Sequence, residues 1–155
     1  MDNMVALTPL TAGERREVAR LRRIVRDDGW ALARGCVEID TAHYDARYTV
    51  GLTRQHGHPE LIVVGAALPR EREIVDGLAT QVAAGLTLEP CWVSFGHRQL
   101  ALVAVDQPAV LWLAHLVYAA EGHPVSALQV VAPDGRGRWP WADGDGVLLG
   151  DWPFD

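Results

Sequence analysis

The chain has 155 residues, a formal net charge of −6, 49% hydrophobic and 22% charged residues, which is the balance of an ordinary globular domain. That charge excludes a general phosphate-backbone binder, which needs a basic surface. No apolar run reaches 18 residues, so no membrane span is expected.

Residues 1–10 read as an N-terminal arm, too short in apolar residues for a signal peptide. The first helix then follows from a capping box, Thr11 with Glu14, and from Val18, Leu21, Ile24 and Val25 on one face. Gly29 stops it, and Arg15, Arg16, Arg22, Arg23 and Arg26 line the opposite face, which reads as solvated or as a docking surface for an acidic partner. All 14 basic residues of the chain are arginines.

Residues 30–39 read as a strand in which Gly35 marks a bulge or a close approach. "ARYTVGLT" and "ELIVVGAA" are two further strands, joined by a loop that holds His56, Gly57, His58, Pro59 and Glu60. Pro69 opens a second helix, with Ile74, Val75, Leu78 and Val82 at helical spacing before Gly85. "CWVSF" and "QLALVAV" form a hairpin around Gly96, His97 and Arg98. Pro108 opens a third, largely apolar and hence buried helix, and "VSALQVV" is a sixth strand.

From Pro133 the composition changes to a tail, residues 133–155, rich in glycine, aspartate and tryptophan, where Trp139-Pro140-Trp141 is echoed by Trp152-Pro153-Phe154. The element order predicts one α+β domain over residues 1–155: a mixed, mainly antiparallel sheet of about six strands with three helices packed on it.

Cys36 and Cys91 have no C-x-x-C spacing and read as reduced thiols of a cytoplasmic protein. There is no G-x-S-x-G nucleophile elbow. "DGDG" at 143–146 lacks the later acidic positions of a calcium loop. His115 reads as a satisfied core histidine, and His43, His97 and His123 have no partner at ligand spacing.

Two loops carry the candidate chemistry. Were residues 56–60 extended, His56, His58 and Glu60 would point to one side as a two-imidazole, one-carboxylate metal set. Gly57 breaks that alternation, which leaves three readings open: a metal site, a metal-free catalytic role for His58 and Glu60, and a turn. Tyr48 and Thr49 stand on the strand that enters this loop. In the second loop, "PDGRGRWPW", Asp134 starts a turn, Arg136 and Arg138 offer guanidinium groups to anions, and Trp139 and Trp141 offer stacking faces. Its bland alternative is a tail packed on the sheet.

"YTVGL", "GHPEL" and "ALQVVAPDGRGRWPW" together resemble the bacterial family known as domain of unknown function 4262. The resemblance rests on Tyr48, Thr49, Gly51, Leu52, Gly57, His58, Pro59, Glu60, Gln129, Pro133, Asp134, Gly137, Arg138, Pro140 and Trp141. It runs from about Gly29 to Trp141. Ala132 stands where the family commonly has tryptophan, and Trp139 where it has phenylalanine. The resemblance implies no reaction and no cofactor; it does include His58 and Glu60 but not His56, and it implies that the two loops matter together.

The sequence reading is thus a small-ligand-binding domain with its site between the two loops: His58 and Glu60 as catalytic candidates, and Tyr48, Thr49, Asp134, Arg136, Arg138, Trp139 and Trp141 as ligand contacts. The alternatives are an immunity-like or regulatory protein-interaction module, using the tryptophan tail or the arginine face of the first helix, and a metal-dependent enzyme. Cofactor and oligomeric state stay unassigned.

Overall fold

The computed structural model describes residues 10–65, 68–118, 122, 124–142, 144 and 146–151. Helix α1 (Ala12–Asp28) starts at the expected capping box. Thr11 Oγ1 accepts from Glu14 N–H at 3.1 Å, and Thr11 N–H donates to Glu14 Oε1 at 2.8 Å, a pairing that contributes about 1 kcal/mol. Val18, Leu21 and Val25 are buried. From the opposite face, Arg22 reaches across to donate to Leu116 O at 3.0 Å.

Strands β1 (Ala31–Ile39) and β2 (Ala42–Val50) form a hairpin through Asp40 and Thr41, both at positive φ (49° and 71°), as a two-residue type I′ turn requires. The register runs unbroken from Ala31 opposite Val50 to Ile39 opposite Ala42. Gly35 is therefore no bulge. It is a close approach, where a Cβ would lie 3.0 Å from the Tyr48 ring.

The segment read as the end of a strand and a turn is instead a five-residue helix, α2 (Leu52–His56). Strand β3 (Glu60–Val64), helix α3 (Leu68–Ala83), strands β4 (Cys91–Phe95) and β5 (Arg98–Ala104), a 3-10 turn (Pro108–Val110), helix α4 (Trp112–Tyr118) and strand β6 (Ala127–Val131) follow. The third helix of the sequence reading is thus a 3-10 turn followed by α4.

The six strands form one mixed sheet in the order β1-β2-β3-β6-β5-β4. Only β3 and β6 are parallel, with Glu60 beside Ala127 and Ile62 beside Gln129. Side chains alternate between faces, and that alternation builds two cores. Ala33, Val37, Ala46, Tyr48, Ile62 and Ala127 pack with α1 and α4 on one face. Leu61, Val63, Leu100, Leu102, Leu128 and Val130 pack with α3 on the other. The architecture is the expected α+β one. Among the described residues no helix is long and apolar enough to cross a membrane.

Candidate functional site

The first motif closes around Glu60, which is fully buried. Its Oε1 accepts from the Thr49 hydroxyl at 2.7 Å and from Leu52 N–H at 3.3 Å. Its Oε2 accepts from Thr53 N–H at 3.0 Å and from the Tyr118 hydroxyl at 2.7 Å. The direction of each bond is fixed by what lies behind it. Thr49 Oγ1 accepts from Leu61 N–H at 2.9 Å, and the Tyr118 hydroxyl accepts from Gly51 N–H at 2.5 Å and from Arg54 N–H. Both hydroxyl hydrogens are therefore left to point at the carboxylate, whose oxygens meet donors only, the arrangement that suits an ionised acid.

Leu52 and Thr53 are the first two residues of α2, whose N-cap, Gly51, offers no side chain. Glu60 supplies the missing cap from a neighbouring strand, and its charge sits at the positive end of the helix. Gly51 adopts φ 121°, and a Cβ there would lie 2.6 Å from Gly29 O and 2.7 Å from Trp30 Cα, so the turn admits only glycine.

His58 is buried beside this knot. Its Nε2 accepts from Leu88 N–H at 2.8 Å, and its Nδ1 lies 2.7 Å from Pro59 O. The amide fixes the tautomer: Nε2 carries no hydrogen and Nδ1–H donates to the carbonyl. His58 thereby ties the segment after α3 to the start of β3. Its one lone pair is engaged, which leaves none for acid–base work in this arrangement. Tyr48 plays a matching part, its hydroxyl accepting from Leu113 N–H in the first turn of α4 at 3.1 Å. Burial pushes the Tyr48 phenol up to about 12, with the Leu113 amide opposing and the charge of Glu17 adding. Burial, and then the charge of Glu60, raises the Tyr118 phenol further.

His56 is exposed at the end of α2, and Gly57 follows it in the left-handed region at φ 61°. The strand geometry that would gather His56, His58 and Glu60 is therefore absent. Among the described residues, no three His, Cys, Asp or Glu side chains are grouped to hold a metal.

The second motif lies elsewhere. Because β3 and β6 are parallel, the first motif sits where β3 enters the sheet and the second where β6 leaves it. The register thus separates the two loops that the sequence reading joined into one site. Residues 134–138 form a tight turn: Asp134 Oδ1 accepts from Arg136 N–H at 2.8 Å and Arg138 N–H at 3.0 Å, and Asp134 N–H donates to Arg138 O at 2.8 Å. Arg138 Nε lies 3.4 Å from Asp134 Oδ2. Trp139 and Trp141 stack at 5.1 Å with their planes 9° apart, and Trp92 of β4 meets them edge-on at 5.0 and 6.0 Å. They pack on Ala101, Val103 and Val131, while Trp92 stays 40% exposed. Buried Gln129 then holds the chain beyond, donating to Val147 O at 2.6 Å and accepting from Leu149 N–H at 2.8 Å.

Of the remaining candidates, His115 Nε2 lies 3.0 Å from Pro108 O, and His97 is exposed in the β4–β5 turn. His43 is on β2, with Nδ1 3.7 Å from the exposed Cys36 thiol. His123, Asp143, Asp145, Trp152 and Phe154 lie outside the described residues. Sequence reasoning missed Tyr118, Thr53 and Trp92. Only Tyr118 left a signal, since a tyrosine in an apolar helix needs a partner for its hydroxyl.

Residues 24–145 match a family described as Domain of unknown function (DUF4262). The comparisons with curated proteins and with solved structures find no match.

Proposed function

The chain belongs to the DUF4262 family, and from that premise we propose that it is a binding domain that recognises an acidic protein partner through the Trp92–Trp139–Trp141 surface and the neighbouring Arg136 and Arg138. The observation that carries this reading is the exposure of Trp92 beside two stacked indoles. Tryptophan and arginine dominate the residues that anchor protein interfaces. The turn that presents the arginines is held in shape by Asp134 before any partner arrives, which lowers the ordering cost of binding. The polar groups of the first motif, by contrast, all have partners within the fold. The small-ligand alternative with a site between the two loops would need them to meet, and the parallel register sets them apart.

The test uses a photo-crosslinking residue at exposed Ser94, two positions from Trp92, in the full chain expressed in its host. The expected result is a crosslink to one acidic protein that is lost with Trp92→Ala and with Arg136→Glu, while both variants melt within about 3 °C of the parent. Crosslinks unchanged by both substitutions would remove this surface from the interface.

A further inference from the structure

On the α3 side of the sheet, Arg34 of β1 and Arg47 of β2 stand directly opposite each other in register. Cross-strand partners share a face with Cβ atoms about 5 Å apart, and like charges so placed destabilise a sheet. Such a pair is ordinarily offset by carboxylates. Here neither guanidinium makes a hydrogen bond or an ion pair among the described residues. Arg47 Nε is moreover buried with no acceptor, the one such side-chain atom among them. Among the described residues Glu38, Asp45, Glu73 and Asp76 form no ion pair with either arginine. A buried N–H without an acceptor costs stability, so this pair weakens the protein alone.

Two residues before Arg34 on β1 a cavity, which neither arginine lines, offers a place for a ligand body. Leu32 precedes Arg34 on the same face, about 7 Å along the strand. It lines a cavity of about 540 Å³ together with Ile24, Trp30, Arg72, Glu73 and Asp76, a volume that suits a small organic molecule. Arg34 is exposed and Arg47 half-buried, so an oxyanion can approach both from solvent.

We propose that Arg34 and Arg47 form the anion-binding end of a small-molecule site whose ligand carries a carboxylate or phosphate on an apolar or ring-shaped body, the body resting against Trp30 and Leu32. The oxyanion supplies the acceptor that Arg47 Nε lacks and offsets the repulsion between the two guanidinium groups. This site is independent of the tryptophan surface, which lies on other strands.

The test is calorimetric titration of the full-length protein with phenylacetate, phenyl phosphate and inorganic phosphate, repeated with Arg34→Met and Arg47→Met. The first two probes separate a carboxylate from a phosphate source, and the third shows what the ring contributes. The expected result is saturable binding of phenylacetate or phenyl phosphate, at least tenfold tighter than inorganic phosphate, and at least tenfold weaker in either variant. Arg47→Met without ligand is expected to melt at the wild-type temperature or above it, because methionine removes an unpartnered N–H and a like charge. Three results would each overturn the proposal: no saturation with either phenyl probe, wild-type affinity in both variants, or a fall of several degrees in the melting temperature of unliganded Arg47→Met.

Discussion

Glu60→Gln is expected to lower the stability of the protein by about 3 kcal/mol, although glutamine keeps the shape of the side chain. The amide can still place its oxygen toward the Thr49 hydroxyl and Leu52 N–H. Its NH2 group then faces Thr53 N–H and the Tyr118 hydroxyl, which are the donors now held by Oε2. The hydroxyl cannot simply turn away, because its oxygen already accepts from Gly51 N–H. Two buried donors lose their acceptor, at about 1–3 kcal/mol each, and the helix end loses its compensating charge. Urea unfolding reads the change as a shift of the midpoint at constant slope. A Glu60→Gln protein as stable as the wild type would show that the carboxylate serves something other than the fold.

The second large effect is alkaline. Tyr48 and Tyr118 are each only 1% exposed, and burial raises both phenols, Tyr48 to about 12. A tyrosine is neutral while protonated and titrates near pH 10 in an unfolded chain. Its folded pKa is raised, so its contribution to stability is complete below pH 10 and is lost as pH climbs toward the folded value. For Tyr48 alone the loss reaches about 2 kcal/mol by pH 12, and Tyr118 adds to it. Urea midpoints measured from pH 8 to pH 11.5 should fall steeply above pH 10, together with a cooperative rise in tyrosinate absorbance. Tyr48→Phe, which cannot ionise, should flatten the fall while lowering the midpoint at pH 8, since Leu113 N–H loses its acceptor. A midpoint level through pH 11.5 would contradict the burial of both hydroxyls.

Much of the fold was legible because local signals agreed with the tertiary structure. The capping box of α1, the 3.6-residue spacing of α1 and α3 and the β4–β5 hairpin are each written in a few neighbouring residues. Helix α2 was not legible: its first amides are capped by Glu60 from another element, so no Ser, Thr, Asp or Asn stands at its N-cap. The extra length of β2 was hidden for a different reason. Its turn, Asp40-Thr41, places two non-glycine residues at positive φ, where Asn-Gly or Asp-Gly is the usual mark. The pairing of β3 with β6 joins residues more than 60 positions apart across two helices and a hairpin, and no local pattern encodes that.

The candidate site shows the same division. Tyr48, Thr49, His58 and Glu60 stand out in the sequence as polar residues among apolar runs, and two of them, Thr49 and Glu60, hydrogen-bond to each other. Their roles depend on Tyr118 and Leu88, 58 and 30 residues from their partners Glu60 and His58, and only the folded chain brings these together. Read with those partners, the Y-T-x-G-L and G-H-P-E motifs explain their own composition. Tyr48 caps α4, Thr49 and Glu60 bond each other, Gly51 fits against Gly29 and Trp30, and His58 holds the Leu88 amide. The Asp134 loop and Gln129 likewise shape and anchor the tail.

That the first motif is a lock of the fold is tested most directly by native-state hydrogen exchange at the Gly51, Leu52, Thr53 and Leu88 amides. Each donates to a buried side chain of the motif, to Tyr118, Glu60, Glu60 and His58 in turn. All four are expected to exchange only through global unfolding, with the same opening free energy as the core amide of Ile62 in β3. Exchange of these four through a local opening, several kcal/mol easier than that of Ile62, would contradict it and mark the motif as a mobile site.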